Sequence, residues 1–191
     1  MKKILILITL AIFPITNLTA KEGAVQCGNL IYAGTKTSRC FSDEFLSLVQ
    51  QKTSIKTERR FKPVKLGSEE LFKFPFVIMT GEDDFNLTAK ERVNLKKYLE
   101  NGGFMLASPG CSNKAWSTAF LREIKRIFGK DALKDIPMDH AIFKTITTVK
   151  TLPLSKGGNG KLQGITHNGK LVVAFASDGL NDTSNTEGCC C

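Results

Sequence analysis

The chain has 191 residues, with 27 lysines and arginines against 18 acidic residues, a formal net charge of +9, and six cysteines. This length suits one domain with a real hydrophobic core, so the cysteines are not needed to hold a miniprotein together. Two histidines leave little room for histidine-rich metal catalysis.

Lys2 and Lys3 precede a nearly continuous apolar run from Ile4 to Ile15, and Ala20 closes a Leu-Thr-Ala site, the pattern of an export signal. The run ends at Pro14 and Ile15, too short to cross about 30 Å of hydrocarbon. Cleavage after Ala20 leaves residues 21–191 with a net charge of +7. No second segment is long enough to span a bilayer, and Gln26 before Cys27 does not fit a lipoprotein signal. The expected compartment is the periplasm or beyond, which argues against a nucleic-acid partner and for paired or metal-bound cysteines.

Leu30–Tyr32 reads as a short strand. Ser42 is placed to cap a helix beginning with Asp43 and Glu44, with Phe41 and Leu46 as a hydrophobic staple. Lys52, Lys56, Arg59, Arg60, Lys62 and Lys65 concentrate the basic excess. They form either a solvated face or an attraction for anionic glycans, lipid head groups or an acidic partner. Pro63–Leu66 and Phe74–Thr80 read as strands, the second apolar enough to be buried on both faces. Thr88 and Glu91 form a capping box for a helix that Gly102-Gly103 stops. Phe104–Ser108 is another buried strand, and Trp116, Phe120, Ile124, Ile127 and Phe128 stripe a third helix. Strand and helix in alternation imply a mainly parallel sheet.

The last third carries Pro137, Pro153 and a Gly-rich loop over 155–160. Leu162–Thr166 and Lys170–Ala176 flank His167-Asn168-Gly169, a hairpin signal. The domain is expected over 21–180, followed by a polar tail, 181–191, that carries Cys189, Cys190 and Cys191.

No phosphate-loop, dinucleotide or Cys-x-x-Cys motif is present. The candidate site therefore lies where open parallel sheets bind ligands, at the C-terminal strand ends: Gly81, Glu82 and Asp84 after one strand, Gly110, Cys111 and Ser112 after the next, Asp178 after the last. Cys111 between a buried strand and a helix, with His140 as base, sketches a Cys-His nucleophile pair. Pro109-Gly110-Cys111-Ser112-Asn113 matches a G-x-C-x-G elbow only in part, and Asp139-His140 reads equally as a loop-fixing pair.

The stretches Pro75-Phe76-Val77-Ile78-Met79-Thr80-Gly81, Leu87-Thr88 through Gly102-Gly103-Phe104, and Asp139-His140-Ala141-Ile142-Phe143 resemble bacterial domain-of-unknown-function family 4159 over Leu71 to Asp178. That resemblance implies the class I glutamine amidotransferase-like superfamily, a three-layer flavodoxin-like α/β sandwich, and an exported or membrane-attached setting with no assigned activity. Ser108-Pro109-Gly110-Cys111 stands where the family usually carries acidic residues, and His140-Ala141 where it commonly has His-Pro.

Three functions follow. The first is a non-catalytic envelope domain binding a small ligand or protein partner at its strand-end rim. The second is a thiol protein in which Cys27, Cys40, Cys111, Cys189, Cys190 and Cys191 hold copper or zinc or do redox chemistry; against it, Cys27 and Cys40 are expected to form an ordinary disulfide. The third is a Cys111-His140 hydrolase or amidotransferase-like enzyme.

Overall fold

In the computed structural model, residues 23–37, 44–154 and 159–180 are described. The expected leader, Ser42 and the three terminal cysteines lie outside them, as do residues 155–158 of the Gly-rich loop. The elements in chain order are β1 (Cys27–Ile31), α1 (Glu44–Lys52), β2 (Lys62–Lys65), β3 (Phe76–Gly81), α2 (Ala89–Glu100), β4 (Phe104–Pro109), α3 (Lys114–Phe128), β5 (Lys134–Asp135), β6 (Leu162–His167) and β7 (Lys170–Ala176). They form one seven-stranded sheet in the order β2-β1-β3-β4-β7-β6-β5. The five strands from β2 to β7 are parallel, and β6 and β5 add antiparallel at one end.

Numbered among themselves, the parallel strands run 2-1-3-4-5, the doubly wound order of flavodoxin-like sheets. The mixed α/β sandwich with a C-terminal hairpin, expected from the alternating strand and helix patterns, is what the chain builds. Every second residue of the central strands faces a single large core. Leu30 and Tyr32, Val77 and Met79, Met105 and Ala107, and Val173 and Phe175 meet Leu95, Tyr98 and Leu99 of α2 and Trp116, Phe120 and Ile124 of α3. The opposite face carries a smaller cluster around Phe143, Leu162, Ala174 and Ala176. On that face Phe45 of α1 packs against Phe76, whose ring stacks on Phe104 with centroids 5.8 Å apart.

Local chemistry explains the boundaries. Thr88 Oγ1 accepts from the Glu91 N–H at 3.2 Å while Glu91 Oε2 accepts from the Thr88 N–H at 2.7 Å, so both halves of the capping box are made. Gly102 ends α2 with φ +93°, a conformation that favours glycine. Gly103 serves a different purpose. A Cβ there would stand 2.3 Å from the Tyr98 ring, whose hydroxyl reaches the Phe74 carbonyl at 2.9 Å. Asn168 and Gly169, at φ +48° and +75°, make the two-residue turn that joins β6 to β7.

The basic run has a structural role. Lys62, Pro63 and Lys65 are exposed on β2, the edge strand, where lysine and proline oppose pairing with another chain. The other edge, β5, is two residues long.

Two features were not legible in the pattern. Glu69–Lys73 forms a 3₁₀ turn capped by Ser68, and β5 extends the sheet beyond the hairpin. Both are too short to show an apolar period.

Candidate functional site

The order of the sheet reverses between β1 and β3, so the loops after β1, β3, β4 and β7 gather at one end. The rim residues predicted from sequence fall into three groups.

Gly81, Glu82, Gly110 and Cys111 lie together. A Cβ on Gly110 would sit 3.3 Å from the Glu82 side chain and 3.4 Å from the Gly81 carbonyl oxygen, and Cys111 Sγ lies 3.9 Å from Glu82 Oε1. Cys111 and Ser112 both have left-handed backbones, at φ +47° and +53°, conformations disfavoured for side-chain-bearing residues and concentrated at functional turns.

Ser112 and Asp178 are the second group. The Ser112 hydroxyl donates to the Asp178 carbonyl at 2.5 Å, which joins the turn after β4 to the turn after β7. Gly179, at φ +81°, closes onto Ser112 and Pro109.

Asp84 stands in the third. Its carboxylate accepts from Arg122 Nη2 of α3 at 2.9 Å, and the same guanidinium reaches the Phe85 carbonyl and Asn86. The Arg122 hydrogen bond holds the Asp84 carboxyl below the usual carboxylate range, helped by the Phe85 N–H and by Lys36. Asp84 is thus an anchor between the β3 loop and α3.

Gly81 is also a packing residue. A Cβ there would lie 2.1 Å from the Tyr32 hydroxyl and 2.8 Å from Trp116 Nε1. These two groups are fully buried and bonded to each other: Trp116 Nε1–H donates to Tyr32 Oη at 2.6 Å, and the Tyr32 hydroxyl donates to the Thr80 carbonyl at 3.1 Å. Burial pushes the Tyr32 phenol up to about 12, against the lowering effect of the Trp116 bond.

Cys111 is engaged and is not a free thiol. His140 caps the 3₁₀ turn Ala141–Lys144, its Nδ1 accepting from the Ile142 N–H at 3.2 Å. Its loop-fixing reading is therefore the one the structure displays.

The expected Cys27–Cys40 bridge is not formed. Cys27 is a free thiol, 3% exposed, and burial raises its pKa. It opens β1 opposite Phe76 at the N-terminal end of the sheet, whereas Cys111 follows the C-terminal end of β4, about 20 Å away at the rise of a strand. These two cysteines do not share a metal. Among the described residues, no group of three or more His, Cys, Asp and Glu side chains is placed to hold an ion. Cys40, Cys189, Cys190 and Cys191 lie outside the described residues.

Two site features escaped the sequence reading. Thr80 and Ser108 stand side by side in register on β3 and β4 and are each 1% exposed. Alternation with Met79 and Ala107 places them on the face away from the main core. Ser108 Oγ accepts from the Leu180 N–H at 2.9 Å, while Thr80 Oγ1 is buried with no partner among the described residues. The available signal was one polar residue near the end of each of two otherwise apolar strands.

A comparison with curated proteins found no match. A family model described as Domain of unknown function (DUF4159) matches residues 29–185, covering every strand and helix of the sheet except the first two residues of β1. The chain belongs to this domain-of-unknown-function family.

Proposed function

We propose that this protein is an exported binding or assembly domain of the cell envelope, periplasmic or secreted, which receives a small ligand or protein partner at the strand-end rim. The observation that carries this reading is the doubly wound strand order, which brings Glu82, Gly110, Cys111, Ser112 and Asp178 to one end of the sheet around two consecutive left-handed residues. Open α/β sheets bind their ligands there, because the loops diverge at the reversal of strand order. We extend the reading to the amidotransferase-like superfamily, with which this order accords, and the export-signal pattern over residues 1–20 supports export.

A binding role is favoured over catalysis by the condition of the two candidate groups. Cys111 is not free, and His140 Nδ1 is engaged by a backbone N–H. A Cys-His enzyme needs a free thiolate within reach of an unencumbered imidazole nitrogen.

The test is an amide-shift titration of isotopically labelled residues 21–191 with size-fractionated envelope extract. Shifts are expected at Glu82, Gly110, Ser112 and Asp178, and Glu82→Arg should abolish them. Shifts confined to other surfaces, or a response that Glu82→Arg leaves intact, would reject the rim as the binding site.

A further inference from the structure

The residues that follow β7 do not leave the sheet directly. Three serines from the β4–α3 region hold them across the rim. Ser117 Oγ donates to the Ser177 carbonyl at 3.2 Å, Ser112 Oγ to the Asp178 carbonyl at 2.5 Å, and the Leu180 N–H donates to Ser108 Oγ at 2.9 Å. Among the described residues, backbone pairing adds one long contact, Gly179 N–H to the Ala176 carbonyl at 3.4 Å. The segment contributes almost no apolar burial: Ser177 and Asp178 are exposed and Leu180 is 40% exposed, whereas Val172 through Ala176 are buried. A segment tied, among the described residues, mainly by hydrogen bonds to side chains belongs to the least stable part of a fold and opens without global unfolding.

The β4 residue that it bonds is polar, and so is that residue's neighbour on β3. Ser108 is bonded by the segment itself, and its register neighbour Thr80 carries a buried hydroxyl with no partner among the described residues. An unmet buried hydroxyl costs free energy in the closed state, and native structures rarely keep one without a reason.

We infer that Ser177–Leu180 is a self-docked strap that closes over a two-hydroxyl floor, Thr80 and Ser108, and opens locally to uncover it. This rests on the rim reading for its purpose, but not for its existence. The strap occupies the β4–β7 side of the rim, so a ligand that uses these hydroxyls must displace it. Binding is then coupled to release of Leu180 from Ser108.

The test is native-state hydrogen exchange on ligand-free residues 21–191. The Gly179 and Leu180 amides are expected to exchange by a local opening that low concentrations of urea do not accelerate. Ser108→Ala removes the acceptor of the Leu180 N–H and should speed strap exchange about fivefold, the worth of one typical hydrogen bond, with β3 and β4 amides unchanged. Thr80→Val removes a hydroxyl with no partner among the described residues and should leave strap exchange as it was. Strap amides that exchange only through urea-sensitive global unfolding would overturn the proposal. So would a Ser108→Ala effect spread equally over β3 and β4. Because no ligand is used, failure of the rim to bind anything leaves this result standing.

Discussion

Gly81→Ala probes the contact beneath the rim most directly. The new methyl would lie 2.1 Å from the Tyr32 hydroxyl and 2.8 Å from Trp116 Nε1. The tyrosine ring must withdraw by about 1 Å to restore an ordinary separation. Tyr32 and Trp116 are both fully buried, so the ring has no solvent to move into. Overpacking of this kind costs about 1–3 kcal/mol. Withdrawal also stretches the 2.6 Å bond from Trp116, and a buried N–H deprived of its acceptor costs about 1–3 kcal/mol more. The expected destabilisation is about 2–6 kcal/mol, a large share of the 5–15 kcal/mol that keeps a typical domain folded. Urea unfolding followed by the fluorescence of Trp116, the chain's single tryptophan, measures it at the site. Tyr32→Phe supplies the second arm of a cycle. It costs about 1–3 kcal/mol alone, because it orphans the Trp116 N–H. It also removes the atom that the Gly81 methyl would strike. The double variant should therefore be more stable than the sum of the singles by about 1–2 kcal/mol. Additivity within about 0.3 kcal/mol, or a Gly81→Ala cost under about 0.5 kcal/mol, would refute the argument that the hydroxyl dictates glycine at this position.

Gly103→Ala places a methyl 2.3 Å from the Tyr98 ring and should lower stability by about 1–3 kcal/mol in urea; Tyr98→Leu in the same background should recover part of it. Glu123 is 1% exposed and accepts from Arg92 Nε at 2.7 Å and Arg126 Nη1 at 2.6 Å. Arg92→Ala leaves one charged oxygen of a buried acid without that donor and should cost about 1–3 kcal/mol in chemical denaturation. The Asp84 carboxyl is held low by Arg122. A depressed folded pKa means that its contribution is present above the unfolded value near about 4 and fades as pH falls through the lower folded value. Melting temperatures of wild type and Asp84→Asn should therefore differ at pH 7 and converge in strong acid. A difference that stays constant with pH would assign the effect to packing.

Much of the fold was legible because it rests on local rules. The Thr88 and Glu91 capping box, the Asn168-Gly169 turn and the buried runs in β3 and β4 are each complete within a few residues, and all appear where their chemistry predicts. The clustering of Glu82 with Gly110 and Cys111 followed from a general property of open sheets. The exchange between Ser112 and Asp178 did not, since their bond spans 66 positions of sequence.

The sequence by itself determined the longer helices and strands, the parallel core and the rim, because apolar periodicity and capping act over one or two turns of chain. Only the tertiary structure decided what individual rim residues do. Gly81 makes room for a tyrosine hydroxyl from β1's end, Asp84 anchors α3, and Cys27 and Cys111 stand at opposite ends of the sheet. These roles depend on which strands become neighbours, and the pattern of one strand carries no record of the residue that will face it across a crossover.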